Sequence, residues 1–122
     1  MKNNFEFLDS VICKIGNQIA ERIPSSDRNE IEKVLGVLSN DGVYAYYVYV
    51  KSKKNKTLYN ILIKDLAELM QYTDTKPEDD DYENYFINLS KNLNDLLFFK
   101  EILEETLIYA RYHAKAKDKE RE

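Results

Sequence analysis

The sequence has very few of the residues that break regular structure or build a reactive centre. Its 122 residues include three glycines, two prolines, one cysteine, one histidine and no tryptophan. The scarcity of glycine and proline argues against a many-turned β sandwich and favours long helices. One cysteine and one histidine exclude an internal disulfide and a Cys/His-rich zinc site. The glycines are scattered, so neither a P-loop nor a dinucleotide-binding fingerprint is present.

Long apolar runs are also missing from the sequence. No uninterrupted stretch approaches the roughly 20 apolar residues of a membrane-spanning helix. Residues 1–9 carry acids where a secretory signal would be apolar. Together with the single cysteine, these absences lead us to expect a cytoplasmic protein with no membrane partner. The length predicts one domain over residues 1–122.

The net charge of −4 is unevenly distributed along the chain. Residues 74–83 hold six acids and one lysine, whereas the rest of the chain has 17 basic and 16 acidic residues. One acidic segment therefore sets the overall sign, and a local basic face remains compatible with the sequence.

Hydrophobic periodicity predicts an all-α, compact single-domain bundle of about five to six helices. Ser26 and Asp27 are the competing N-caps of the second helix, and Thr57 is the predicted cap of the fourth. Asn40-Asp41-Gly42 is a strong stop signal for the second helix. The second predicted helix runs from the Ser26 or Asp27 cap to about residue 38. The other predicted helices cover residues 5–22, 43–50, 57 to about 72, 82–89 and 95–115, and we expect a frayed tail at 115–122.

Residues 43–50 are the ambiguous element. β-branched and aromatic residues fill this run, so isolated propensity favours a strand. A lone strand among helices would have no partner, because the sequence shows no second strand-like run. We therefore predict a buried helix over these residues.

Small residues line one side of the first predicted helix. Cys13, Gly16 and Ala20 recur at helical spacing beside the apolar positions. Small side chains at this spacing allow a second helix to approach closely. The pattern indicates that Cys13 serves packing and is not a nucleophile.

Basic residues form two clusters, each near the end of a predicted helix. Cations at a helix C-terminus are stabilised by the helix dipole, but that explanation needs only one or two of them. A surface that binds phosphates would use whole clusters. The two interpretations are evenly balanced on the sequence alone. The clusters are Lys51, Lys53, Lys54 and Lys56, and Arg111, Lys115, Lys117, Lys119 and Arg121.

Two other groups of polar residues have weaker patterns. Arg111 and His113 are only two residues apart, whereas helical ribonucleases of the HEPN class place an arginine and a histidine several residues apart. A histidine on the helix surface is the simpler explanation. Asp79, Asp80 and Asp81 lack the glycine and the downstream bidentate glutamate of an EF-hand loop, so we expect a solvated acidic loop.

Several of these elements resemble the small subunit of the type III-B CRISPR effector, the Cmr complex. That family has a helix leading to an Asn-Gly-Leu step, an apolar helix that ends in an aromatic and lysines, and a Tyr-x-x-Leu-Leu-x-x-Leu helix. It closes with an Arg-aromatic-Ala helix, and this ending is also similar to the small subunit of the type III-A (Csm) complex, so either membership is possible. The matching segments are 34–43, Tyr49 before Lys51 and Lys53, 59–66 and 105–115.

The resemblance implies an all-helical subunit without catalytic activity of its own. Such subunits stack head to tail as a filament beside the other subunits of the effector complex. Their basic residues line a groove that holds guide RNA and target RNA, and no cofactor or metal is expected. On this basis, the expected phosphate contacts are Lys51, Lys53, Lys54, Lys56, Arg111 and Lys115.

Opposite charges at separate places on a small domain suit head-to-tail association. We therefore expect the Asp79–Asp81 loop of one copy to meet lysines of the next. Two alternatives remain open: a stand-alone helical adaptor that binds protein through a tyrosine-rich surface, and a degenerate HEPN-type ribonuclease.

Overall fold

The structure is a computed structural model that describes residues 4–120. All regular structure in this range is helical, which confirms the predicted all-α single-domain bundle. No helix within the described range has the length and apolarity needed to cross a membrane. The helices are α1 (Asn4–Arg22), α2 (Asn29–Asp41), α3 (Val43–Ser52), α4 (Lys56–Leu62), α5 (Ala67–Met70), α6 (Tyr82–Leu89) and α7 (Leu93–Glu120), with 3-10 turns at Ser25–Asp27 and Lys64–Leu66.

Helices α1 and α7 pack closely at Gly16. A Cβ atom added to Gly16 would lie 2.9 Å from both the Thr106 carbonyl oxygen and the Tyr109 Cβ, so a larger residue would force the helices apart. Ala20 is fully buried on the same side of α1. Close approach was predicted from the small-residue stripe, but Cys13 is exposed and takes no part in this packing.

Helices α2 and α3 form a hairpin around Gly42. Gly42 has a φ of +100°, which disfavours any residue with a side chain, and its N–H donates to the Leu38 carbonyl. The stop signal is therefore confirmed. Residues 43–50 are helical as predicted, because Tyr46 and Val50 are buried in a core built only of helices in the described range.

The helix predicted from Thr57 to residue 72 is interrupted in the structure. The buried Tyr46 hydroxyl donates to the Leu62 carbonyl at 2.7 Å, where a continuing helix would place the Leu66 N–H. The Leu66 N–H donates to the Ile63 carbonyl, which closes a 3-10 turn. Burial raises the pKa of Tyr46, so its hydroxyl keeps the proton that it donates. A side chain from α3 thus ends α4.

Three helix starts differ from the sequence predictions. Ser26 and Asp27 lie inside a 3-10 turn, and no side chain caps α2. Asn55, not Thr57, caps α4 by accepting the Leu58 N–H at 3.1 Å. Asn92 accepts the Asp95 N–H at 3.1 Å, which places the start of α7 two residues before the predicted one. Several residue types can cap a helix, so neighbouring candidates are hard to separate by pattern.

The acidic segment forms a loop, as predicted, but it is held in place. The buried Asp95 carboxylate accepts the backbone N–H groups of Asp74 at 3.0 Å and of Thr75 at 2.7 Å. Burial alone would raise the pKa of Asp95, but hydrogen bonds from Thr75 and Asp74 outweigh it and lower the pKa. Asp81 ends the loop by capping α6 through the Asn84 N–H.

Helix α7 continues to Glu120, beyond residue 115, where fraying was predicted. Lys117 lies 2.9 Å from Glu21 of α1, and Asp118 pairs with Arg28 just before α2. These ion pairs tie the end of α7 to two other elements. The last part of the predicted tail, residues 121–122, lies outside the described residues.

Candidate nucleic-acid interface

Three of the six predicted contact residues surround one recess. Lys51 lies in the last turn of α3, Lys54 takes a left-handed backbone conformation with a φ of +52°, and Lys56 begins α4. The recess has a volume of about 230 Å³ and includes Tyr59 in its wall. We call the surface formed by Lys51, Lys54, Lys56 and Tyr59 the lysine groove.

Lys51 is already paired with a carboxylate. Its Nζ lies 2.5 Å from Oε1 of Glu83, at the start of α6, and 5.9 Å from the centre of the Tyr47 ring. The hydrogen bond to Glu83 raises the pKa of the Lys51 ammonium, which therefore stays charged. Both side chains are about half exposed, so water and salt weaken the pair. Lys51 can serve an anion only in competition with Glu83.

Lys54 and Lys56 are exposed, and neither forms an ion pair or a side-chain hydrogen bond with any residue in the described range. These two lysines are therefore the cations in the groove that an incoming anion reaches without displacing a carboxylate.

Lys53 lies apart from the lysine groove. Its Nζ is 3.4 Å from Glu30 of α2 and 5.0 Å from the centre of the Tyr49 ring. The pKa of Lys53 is raised first by a hydrogen bond with Tyr49 and then by Glu30, against the opposing effect of desolvation. The Tyr49 hydroxyl also donates to Glu30 at 3.0 Å. The four-lysine run of the sequence thus divides between two surfaces.

The remaining predicted residues, Arg111 and Lys115, lie in a second recess of about 340 Å³ between α2 and α7. Arg111 Nη1 lies 3.2 Å from Glu32, and Lys115 is exposed with no ion pair to a described residue. We call this recess the arginine pocket. It is lined by Arg28, Asn29, Ile31, Glu32, Arg111, Ala114, Lys115 and Asp118.

Sequence reasoning missed Arg28, whose side chain lies in the arginine pocket and is only 10% exposed. One signal in the sequence could have identified Arg28 as a functional residue, which is its position immediately before the first residue of α2. The dipole at the start of a helix favours negative charge, so an arginine at this position is not explained by helix stability. Its true partner, Asp118, is 90 residues away in sequence and lies in a segment that was expected to fray.

The beginning of α2 separates Lys53 from the arginine pocket. Glu30 pairs with Lys53 on one side, and Glu32 pairs with Arg111 on the other. Side chains two positions apart on a helix diverge by about 160°, so these glutamates point in nearly opposite directions. The structure thereby brings basic residues from both sequence clusters to the same end of the molecule.

Arg111 and His113 line different recesses. Arg111 lies in the arginine pocket, whereas exposed His113 lies against α1 beside Asp9 and Cys13. The two side chains would not reach one phosphate, as the HEPN arrangement requires. Across the described residues, no three His, Cys, Asp or Glu side chains converge on a position that could hold a metal ion.

Most tyrosines belong to the core, as their helical spacing predicts. Tyr47 stacks on Phe86 with ring centres 4.8 Å apart, and Tyr85 meets Phe99 edge to face at 6.0 Å. Three tyrosines are exposed: Tyr44, Tyr109 and Tyr112. Tyr59 is half-buried in the groove wall, and burial raises its pKa, so it presents a neutral ring.

Comparison of the chain with protein-family models, with curated proteins and with solved structures gives no significant match. The residues of the two basic surfaces therefore carry the functional assignment. The lysine groove offers unpaired cations beside an aromatic ring, whereas the arginine pocket offers guanidinium groups that carboxylates partly neutralise.

Proposed function

We propose that this protein is a non-catalytic, RNA-binding structural subunit of a type III CRISPR effector complex. The observation that supports this proposal most strongly is the lysine groove, where Lys54 and Lys56 have no ion-pair partner among the described residues and lie beside the ring of Tyr59. A lysine pair next to an aromatic surface suits an RNA strand, because ammonium groups attract phosphates and rings stack on bases or sugars.

In this role the lysines bind the backbone and do not read the sequence. A lysine ammonium is a compact point charge, so it accepts phosphates in many orientations. Lys51 reinforces the groove when it leaves Glu83 for a phosphate, and Lys53 contributes from the side of α2. The guide RNA and target RNA of such a complex are the proposed ligands, and the order of the middle elements favours type III-B.

The same proposal includes head-to-tail association with copies of this chain in the cytoplasm. Asp79 and Asp80 are exposed on the acidic loop. Exposed apolar residues also lie one helical turn apart on two helices: Tyr44 and Val48 on α3, and Leu93 and Leu97 on α7. Exposed pairs of this kind are candidates for burial against neighbouring subunits.

The test is binding of single-stranded RNA and RNA duplex by the purified protein across a salt series. A Lys54→Gln/Lys56→Gln variant is expected to bind about tenfold more weakly at low salt, and the slope of log K against log salt is expected to fall by about two. The matched control is Lys64→Gln/Lys91→Gln, which removes the same charge from exposed lysines outside the groove.

Equal losses in the two variants would show that binding follows net charge alone, and the groove would be rejected as the site.

Absence of RNA binding by the wild-type protein at low salt would count against the proposal and favour the second candidate function. That candidate is a helical adaptor that binds protein, and it draws on Leu93 and Leu97, which are 67% and 54% exposed. Substituting both with glutamine should then abolish partner binding while leaving the helical content intact.

A further inference from the structure

We propose that the arginine pocket is a phosphate-binding site that takes one phosphodiester of a bound RNA backbone. This inference rests on the proposed function for the source of the phosphate, but the site itself is built by residues that the lysine groove does not use. Phosphate contacts in both the groove and the pocket would fix the position of an RNA strand on the protein.

Buried guanidinium groups without acceptors are the first observation. Nη1 of Arg28 contacts the Asp118 carboxylate, but Nε of Arg28 and Nε of Arg111 are buried and donate no hydrogen bond to a residue in the described range. The Arg28 side chain is nine-tenths buried and still lines the pocket. A buried donor without an acceptor is costly, so native proteins rarely keep one without a reason. An oxyanion in the pocket supplies the missing acceptors.

The start of α2 supplies a second set of donors to the same pocket. This helix has 13 residues, and no side chain caps it. The first N–H groups of a helix have no partner within the helix, and the dipole makes this end attractive to anions. The Ile31 N–H already donates to the Arg28 carbonyl at 3.1 Å, so the N–H groups of Asn29 and Glu30 are the donors that the start of α2 can offer. Asn29 lines the pocket, which places this end of the helix beside the arginines.

The charges of the pocket define how an anion enters it. Arg28, Arg111 and Lys115 carry three positive charges, and Glu32 and Asp118 carry two negative ones. Asp118 contacts Arg28, and Glu32 lies 3.2 Å from Arg111. The carboxylates therefore compete with a phosphate for the same guanidinium groups. A phosphodiester, like a carboxylate, presents two charged oxygens that match the donor fork of arginine, so it can replace either carboxylate.

Arginine Nε–H resonances in a 15N-labelled sample report on the site directly. Titration with inorganic phosphate is expected to shift the Nε–H resonances of Arg28 and Arg111 together. Titration with a short oligouridylate RNA is expected to shift the same two resonances at lower ligand concentration, because the lysine groove adds contacts along the strand.

Asp118→Asn is the most informative variant, because it removes a competitor and should bind phosphate several-fold more tightly than wild type. Loss of a structural ion pair or partial unfolding would not produce a gain. Glu105→Gln is the matched control, since it removes an exposed carboxylate from the same helix outside the pocket and should leave the affinity unchanged.

Arg28→Lys keeps the charge but loses the fork of donors, and should weaken phosphate binding about tenfold.

Unshifted arginine resonances, or equal gains in Asp118→Asn and Glu105→Gln, would overturn the site. RNA that binds through the lysine groove while the arginine resonances stay still would reject this inference and leave the proposed function standing. A response to inorganic phosphate without any response to RNA would reject the RNA backbone as the source, and it would count against the proposed function as well.

Discussion

The basic segment 51–56 and the acidic segment 74–83 are both short runs of like charge, but the fold treats them differently. Asp95, which lies outside the acidic segment, accepts hydrogen bonds from two backbone N–H groups of the loop. Asp81, which belongs to the acidic segment, caps α6. In the basic segment, Lys54 and Lys56 keep their charge unpaired within the described residues. The two segments meet where Lys51 pairs with Glu83. The comparison shows that tertiary contacts decide which charges of a run stay available at the surface.

The largest expected effect concerns the part of the acidic loop that remains exposed. The change of Asp79, Asp80 and Asp81 to Asn should abolish head-to-tail assembly at low salt without unfolding the protein. Asn tolerates the φ of +50° at position 79 and keeps the N-cap at position 81. Analytical ultracentrifugation checks the assembly. The control is a triple variant that removes the same charge from other exposed sites: Asp9→Asn, Asp41→Asn and Glu105→Gln. Intact assembly in the loop variant would contradict the hypothesis that the acidic loop mediates head-to-tail association.

The next effect tests the anchored part of the loop. Asp95→Asn should lower the free energy of unfolding by about 1–3 kcal/mol, because an amide cannot accept both loop N–H groups. Urea denaturation at neutral pH measures this loss. Asp74→Asn, in the same loop but exposed, should cost much less. Similar losses in the two variants would mean that the Asp95 hydrogen bonds do not hold the loop.

Low pH should weaken the stabilisation of the fold by the Asp95 carboxylate. The pKa of Asp95 is lowered in the folded protein, so its stabilisation is complete above the unfolded value of about 3.9 and is lost as the pH falls through the folded value. The difference in unfolding free energy between wild type and Asp95→Asn should therefore shrink as the pH falls below about 4. A difference that stays constant down to strongly acidic pH would contradict the lowered pKa.

A smaller effect compares lysines within the basic segment. Lys54→Gln should reduce the salt slope of RNA binding by about one, as expected for one lost phosphate contact. Lys51→Gln should reduce it less, because Lys51 must first leave Glu83. Fluorescence anisotropy with labelled single-stranded RNA measures both slopes. Equal slopes would show that the ion pair with Glu83 does not restrain Lys51.

The smallest effect has the opposite sign. Glu83→Gln removes the partner of Lys51 and should strengthen RNA binding slightly, since one more ammonium becomes available. The same anisotropy titration measures it. Glu78→Gln removes an exposed acid from the nearby loop and serves as the control for charge alone. A gain of the same size in Glu78→Gln would assign the effect to general electrostatics and not to the release of Lys51.

The elements that sequence predicted well depend on local rules. Gly42 ends α2 because a positive φ suits glycine, and this preference is readable from one residue. The role of the expected phosphate contacts stays a prediction, and the structure shows only where they lie. Five of the six expected residues lie in the groove or the pocket, but Lys53 turns toward Glu30, and Arg28 was not found. Those outcomes depend on partners from other helices, which periodicity cannot supply.

By itself the sequence determined the helical class, the approximate helix positions and the presence of two basic clusters, because composition and hydrophobic spacing act locally. The tertiary structure alone decided that Tyr46 ends α4, that α7 continues to Glu120, and which cations remain unpaired. The physical reason is that hydrogen bonds and ion pairs between distant residues exist only after the helices have packed, and their strength depends on the burial that packing creates.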